Sequence, residues 1–191
     1  MILRSALSAV AVLALATGAL ADGVKIGDKA PNFEAVGVDG KTYTLDNMKD
    51  AKATVVCFTC NHCPVAVAME DRFIAFAKEY ESKGVKFIAI NVNGEPMEEM
   101  KSRAEEKGFT FPYARDESAA SGKAYGAQVT PHLFVLDSKG TVAYIGAFDD
   151  SALNASKVTK NYVKDAVDAV LAGKTPETQT TKAVGCGIRY K

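Results

Sequence analysis

The sequence has no tryptophan, two histidines and six prolines, and its charges cancel at 23 Lys plus Arg against 23 Asp plus Glu. A balanced chain has no overall pull toward nucleic acid or an anionic membrane surface. Its few aromatics are scattered and are not interleaved with basic residues, so a nucleic-acid face is not expected. No internal repeat and no low-complexity block interrupts the body, which excludes solenoids and arrays. Beyond Leu20 no apolar run is long enough to span a bilayer, so no stable membrane anchor is expected there.

The long apolar stretch stands at the start. Arg4 supplies a short positive region, Ala6 to Leu20 is almost wholly apolar, and Ala19-Leu20-Ala21 has the small-x-small form that a signal peptidase accepts. Residues 1–21 therefore read as a signal peptide, with Asp22 as the first mature residue and cleavage near Ala21-Asp22. An uncleaved N-terminal anchor is the alternative. Export would make the chain periplasmic or secreted, where disulfides form and persist. All four cysteines, Cys57, Cys60, Cys63 and Cys186, lie in the mature part. Three of them fall within seven residues, the spacing of a working site rather than of a stapled mini-domain.

Hydrophobic periodicity sets the order of elements. Phe33 to Val38 and Thr42 to Leu45 flank Asp39-Gly40 as a hairpin. Ala53 to Thr59 and Val85 to Val92 are continuous apolar runs that suit strands buried on both faces. Between them, Val65, Met69, Phe73, Phe76 and Tyr80 recur at helical spacing from Pro64 to about Lys83. Further helices are expected from Pro96 to about Lys107, near Glu117 to Tyr125, and from a Thr159 cap to Leu171. Leu133 to Leu136 and Thr141 to Ile145 form a second hairpin. Right-handed strand–helix–strand crossovers plus an antiparallel hairpin give an α/β fold, one mixed central sheet with helices on both faces. The division expected is a domain over residues 22–173 and a polar C-terminal tail over 174–191 that carries Cys186.

The pair in Cys60-Asn61-His62-Cys63-Pro64 stands where a buried strand ends and a helix begins. Unsatisfied N–H groups of a first helical turn favour a thiolate, the reactive form of cysteine. Cys60 is expected to be the attacking thiol, Cys63, one turn on, the resolving thiol, and His62 the group that tunes the thiolate. Cys57 reads as a buried, inert thiol. Cys186, between two glycines, is an auxiliary thiol that either folds back to the site or bridges Cys57. Two other readings stay open: a structural bridge, or a soft-metal site, as for copper, drawing on Cys57, Cys60, Cys63 and a histidine. Val129-Thr130-Pro131-His132 precedes the third buried strand. Proline there must begin a strand or sit in a turn, and residue statistics by themselves favour a trans bond.

The hairpin Phe33 to Lys41, strand Val55 to Thr59, Cys60-Asn61-His62-Cys63-Pro64 and Val129-Thr130-Pro131 together resemble the thioredoxin-like superfamily over about residues 24–172. The likeness is to its redoxin branch, the alkyl hydroperoxide reductase/thiol-specific antioxidant proteins, and to a peroxiredoxin-like subgroup with a Cys-x-x-Cys. Gly146-Ala147-Phe148-Asp149-Asp150-Ser151 and the Gly185 to Ile188 tail match that subgroup. The resemblance implies a thioredoxin-like fold with an N-terminal β-hairpin, a cis Thr130–Pro131 bond beside the cysteines, and Thr130 and Pro131 as substrate-binding residues with free polar groups. It implies an exported thiol–disulfide oxidoreductase using a Cys60–Cys63 couple, without a cofactor. Partners would be protein or small-molecule thiols and disulfides and an unidentified redox protein. The alternative activity is a thiol peroxidase with Cys63 as the peroxidatic residue. The sequence departs from both parents. Thr59 stands where thioredoxins carry Trp, Cys60 stands where peroxiredoxins carry Thr, and Arg115 is the nearest counterpart of the peroxide-polarising arginine.

Overall fold

The structure is a computed structural model that describes residues 23–190, and the signal segment read over residues 1–21 lies outside them. Strand β3 (Ala53–Thr59) is buried at every position, as its unbroken apolar sequence requires. It lies between β4 (Val85–Asn91), parallel to it, and β7 (His132–Asp137), antiparallel. The hairpin β1 (Glu34–Gly37) and β2 (Thr42–Thr44), the short strand β5 (Tyr113–Arg115) and the edge strand β8 (Val142–Gly146) complete the sheet, in the order β2-β1-β5-β4-β3-β7-β8.

Strand β5 (Tyr113–Arg115) has no counterpart in the sequence reading. Three residues after a proline are too few to show a period of two, yet β5 joins the hairpin to the parallel core by pairing with both β1 and β4. Its position comes from tertiary pairing and not from local propensity.

Both faces of the sheet are covered. Helix α1 (Pro64–Glu81) buries Met69, Phe73, Phe76 and Tyr80 against Val55, Cys57, Phe87 and Val135, together with Val163 and Val167 of α4 (Tyr162–Leu171). Burying side chains of this size contributes roughly 1.5–3 kcal/mol each. Val56, Phe58, Ile88, Ile90 and Phe134 pack on the other face with Tyr125 of α3 (Ala120–Tyr125). Helix α2 (Met97–Lys107) is tied to α1 by Arg103, whose guanidinium makes two bonds to buried Glu70 at 3.0 and 2.6 Å.

Two helix starts differ from expectation. Thr159 does not cap α4, because its backbone N–H and hydroxyl bond to Asp150, and the helix begins three residues later. Helix α3 begins at Ala120 and not near Glu117, because Asp116 captures the N–H and hydroxyl groups of Ser118 and Ser121 and forms a turn of its own.

Candidate active site

The β3–α1 junction determines which sulfur meets the helix end. Cys60 follows the last residue of β3, and Cys63, in extended conformation, is the N-cap of α1 with Pro64 in the first turn. A proline there has no N–H to compete for an acceptor. The N–H groups of Val65 and Ala66, at the start of α1, favour the Cys63 thiolate. Burial pushes the Cys63 thiol up, but bonds from the Cys186 thiol and from the backbone N–H groups of Ala66, Cys186 and Val65 outweigh it, and the net shift is downward.

Cys60 moves the other way. Burial raises its thiol, the Glu95 carboxylate adds to the rise, and bonds from Thr130 and from the Cys63 N–H only partly offset them. The expectation that the helix terminus acts on Cys60 is thereby corrected. The first-turn N–H groups instead favour the thiolate at the cap, three residues further along the chain.

Thr130 and Pro131 stand directly against both cysteines. The Thr130–Pro131 bond is cis, as the resemblance implied. Thr130 Oγ1 lies 3.1 Å from Cys60 Sγ, and the Cys63 thiol donates to Thr130 O at 2.9 Å. The polar groups of Thr130 are therefore engaged, not free as expected. Its strand, β6 (Val129–Thr130), is also paired antiparallel with β9 (Cys186–Gly187), Thr130 facing Cys186. The Cys186 N–H lies 3.3 Å from Cys63 Sγ. Its own thiol is pushed up to about 11, chiefly because it donates to that sulfur. The tail thus brings Cys186 to the site and away from Cys57, which lies fully buried in the α1-side core with its thiol raised by burial. All four cysteines are free thiols.

His62 faces elsewhere. Its ring is largely exposed, with Nδ1 2.7 Å from Glu95 Oε1 and Nε2 3.7 Å from Glu99. A protonated His62 would be neutralised by these carboxylates, so its expected part as a cation tuning the thiolate finds no contact to carry it. Glu95 is the residue that the sequence reading missed. Its buried carboxylate accepts from the N–H groups of Asn61 (2.8 Å) and His62 (3.3 Å) and from the Asn91 amide, and so holds the Cys-x-x-Cys loop from below. The turn Asn93-Gly94 before a helix-initiating Pro96 marks a loop at the end of β4, but nothing local says that this loop meets the cysteines.

His132 is nearly buried and its imidazole is pushed down to about 4 by desolvation, so it is neutral, and Nδ1 accepts from Gln128 N at 3.3 Å. Arg115 bonds to Glu95 O and pairs with Glu117, so its guanidinium is engaged away from the sulfurs. The Gly146–Ser151 stretch is a structural clamp. Asp149, Ser151 O and Ala152 O all receive the Arg72 guanidinium of α1. Among the described residues no three His, Cys, Asp or Glu side chains converge as a metal-holding group, and no helix is long and apolar enough to cross a membrane.

The comparisons agree with this architecture. A Redoxin family model matches residues 25–162. The thiol-disulfide oxidoreductase ResA of Geobacillus thermodenitrificans is 29% identical over 126 residues, which is 64% of this chain and 69% of that protein. A solved structure from Sinorhizobium meliloti is 34% identical with a TM-score of 0.82, covering 88% of this chain and 96% of the other. A candidate thiol:disulfide interchange protein DsbE from Chlorobium tepidum shares the fold alone, at 19% identity and a TM-score of 0.63 over 78% of this chain and 99% of its own. By its matched family model, its thioredoxin-like sheet and the oxidoreductases to which it is similar, the chain belongs to the Redoxin family of the thioredoxin-like superfamily.

Proposed function

We propose that this protein is an exported thiol–disulfide oxidoreductase working through a Cys60–Cys63 dithiol/disulfide couple, with Cys63 as the attacking sulfur. The observation that carries this reading is the placement of Cys63 at the N-cap of α1, where several donors stabilise its thiolate while Cys60 is held as the thiol. The Cys63 thiolate attacks a substrate disulfide, one substrate thiolate leaves and takes a proton, and a mixed disulfide remains on Cys63. A second protein thiol then attacks Cys63, forms the internal disulfide and releases the other half of the substrate. Substrates are protein or small-molecule disulfides, and a separate redox protein restores the dithiol.

The reading covers a mature chain that begins at Asp22, a domain over residues 22–173 and a tail over 174–191, with location outside the cytosol. Intact-mass analysis of the protein recovered from an exporting host tests the cleavage at Ala21-Asp22. In an insulin reduction assay, Cys63→Ser is expected to lose at least about 100-fold in rate, because a serine hydroxyl cannot form a disulfide. Cys60→Ser should still accept a substrate adduct on Cys63. Full reduction activity in Cys63→Ser would refute the assignment.

A further inference from the structure

Residues 179–190 run along the domain as a strap. Ile145 N donates to Gln179 O at 2.9 Å and Thr181 N donates to Ile145 O at 3.0 Å. At the far end Ile188 N donates to Gln128 O at 2.9 Å, and the Tyr190 hydroxyl donates to Ala127 O at 2.6 Å. The middle, Gly185-Cys186-Gly187, lies across Thr130. A Cβ at Gly185 would stand 2.0 Å from Thr130 O, so only glycine permits this approach. Under the strap Cys60 and Cys63 are 4% and 1% exposed, whereas Cys186 is exposed. The middle of the strap thus lies over the Cys63 sulfur, with the Cys186 nitrogen 3.3 Å from it.

We propose that the strap is a gate carrying a resolving thiol: Cys186, delivered across Thr130, attacks Cys63 after Cys63 has reacted with an external disulfide. This rests on Cys63 being the attacking sulfur. The bonds balance without any other oxidant. Cys63 thiolate and RSSR give Cys63–S–S–R and RS⁻, which is protonated to RSH. The Cys186 thiol then attacks Cys63 Sγ, its proton going to the second departing RS⁻, and a Cys63–Cys186 disulfide forms. Cys60 attacks Cys63 in turn, giving the Cys60–Cys63 disulfide and returning Cys186 to the thiol.

The two candidate resolving thiols differ in what restrains them. Burial is the chief cause that disfavours the Cys60 thiolate, and the Glu95 carboxylate adds to it. Cys186 is restrained chiefly by donating to the Cys63 sulfur, and that restraint weakens once Cys63 Sγ is bonded to a substrate sulfur and accepts more poorly. The glycines on both sides allow the backbone to hinge, and Gly185 is the point at which closure is tightest.

The test uses the full mature chain, reduced and mixed with one equivalent of oxidised glutathione, then quenched with N-ethylmaleimide and mapped by mass. The Cys63–Cys186 disulfide is expected before Cys60–Cys63, and Cys186→Ala is expected to prolong the Cys63–glutathione adduct at least about tenfold. Gly185→Ala, which collides with Thr130 while keeping the thiol, should raise the iodoacetamide alkylation rate of Cys63 at least about tenfold, as expected when a few backbone hydrogen bonds no longer hold the cover. An adduct that clears at the wild-type rate in Cys186→Ala overturns the proposal, as does an unchanged Cys63 alkylation rate in a folded Gly185→Ala. A glutathione adduct that forms on Cys60 instead of Cys63 overturns the underlying assignment of the attacking sulfur.

Discussion

Replacing Glu95 by Ala removes the carboxylate that holds the Cys-x-x-Cys loop from below. Asn61 N, His62 N and the Asn91 amide lose their acceptor together. Hydrogen bonds to a charged group are worth about 1.5–3 kcal/mol each, but water can re-pair the exposed His62 side. A loss of about 3 kcal/mol is therefore expected, or about 6–12 °C in Tm at roughly 2–4 °C per kcal/mol for a chain of this size. Glu95→Gln keeps one acceptor oxygen and should lose about half as much. Both changes also remove the negative charge that raises the Cys60 thiol, so the Cys60 titration should move down in each. Thermal unfolding followed by circular dichroism reads the first effect. The pH dependence of Cys60 alkylation in a Cys63→Ala background reads the second. Unchanged Tm in Glu95→Ala, or a Cys60 titration that rises in Glu95→Gln, would refute the reasoning.

The buried imidazole of His132 gives a pH prediction. Its folded value of about 4 lies below the ordinary 6.5, so its neutral form stabilises the fold above pH 6.5 and that stability is lost as pH falls toward 4. The loss is about 3 kcal/mol, and denaturant melts should show the slope in the native protein and not in His132→Phe. Hydrogen peroxide is expected to oxidise Cys63 no faster than a free thiol, since Arg115 is engaged by Glu95 O and Glu117; stopped-flow rates well above that would favour the peroxidase reading. Cys57→Ala should leave disulfide exchange at the wild-type rate, because that thiol lies wholly in the core; a slowed exchange in a variant of normal Tm would put Cys57 back into the chemistry.

Much of the fold was legible because burial leaves a periodic trace. The strand Ala53–Thr59 runs as far as its apolar sequence does, and α1 follows its spaced aromatics. The exceptions are short or polar elements. Strand β5 exists because β1 and β4 need a partner, and the starts of α3 and α4 move because the Asp116 and Asp150 carboxylates capture N–H groups near the expected helix starts. At the site, residue types and spacing singled out Cys60, Cys63 and Cys186, whereas Thr130 and Pro131 entered through the family resemblance. Types and spacing did not rank the two sulfurs, since an offset of three residues decides which one receives the helix N–H groups.

The mixed sheet, the strand-to-helix junction and the dithiol there could be read before any coordinates, because each is written in local pattern and residue chemistry. Tertiary structure decided what those thiols meet. Burial, with Glu95 at the end of β4 adding to it, raises Cys60, whereas the tail, 123 residues from Cys63 in sequence, brings Cys186 against its sulfur. Long-range proximity of this kind leaves no periodic signal, because it depends on how separate buried surfaces settle together and not on the propensity of any one segment.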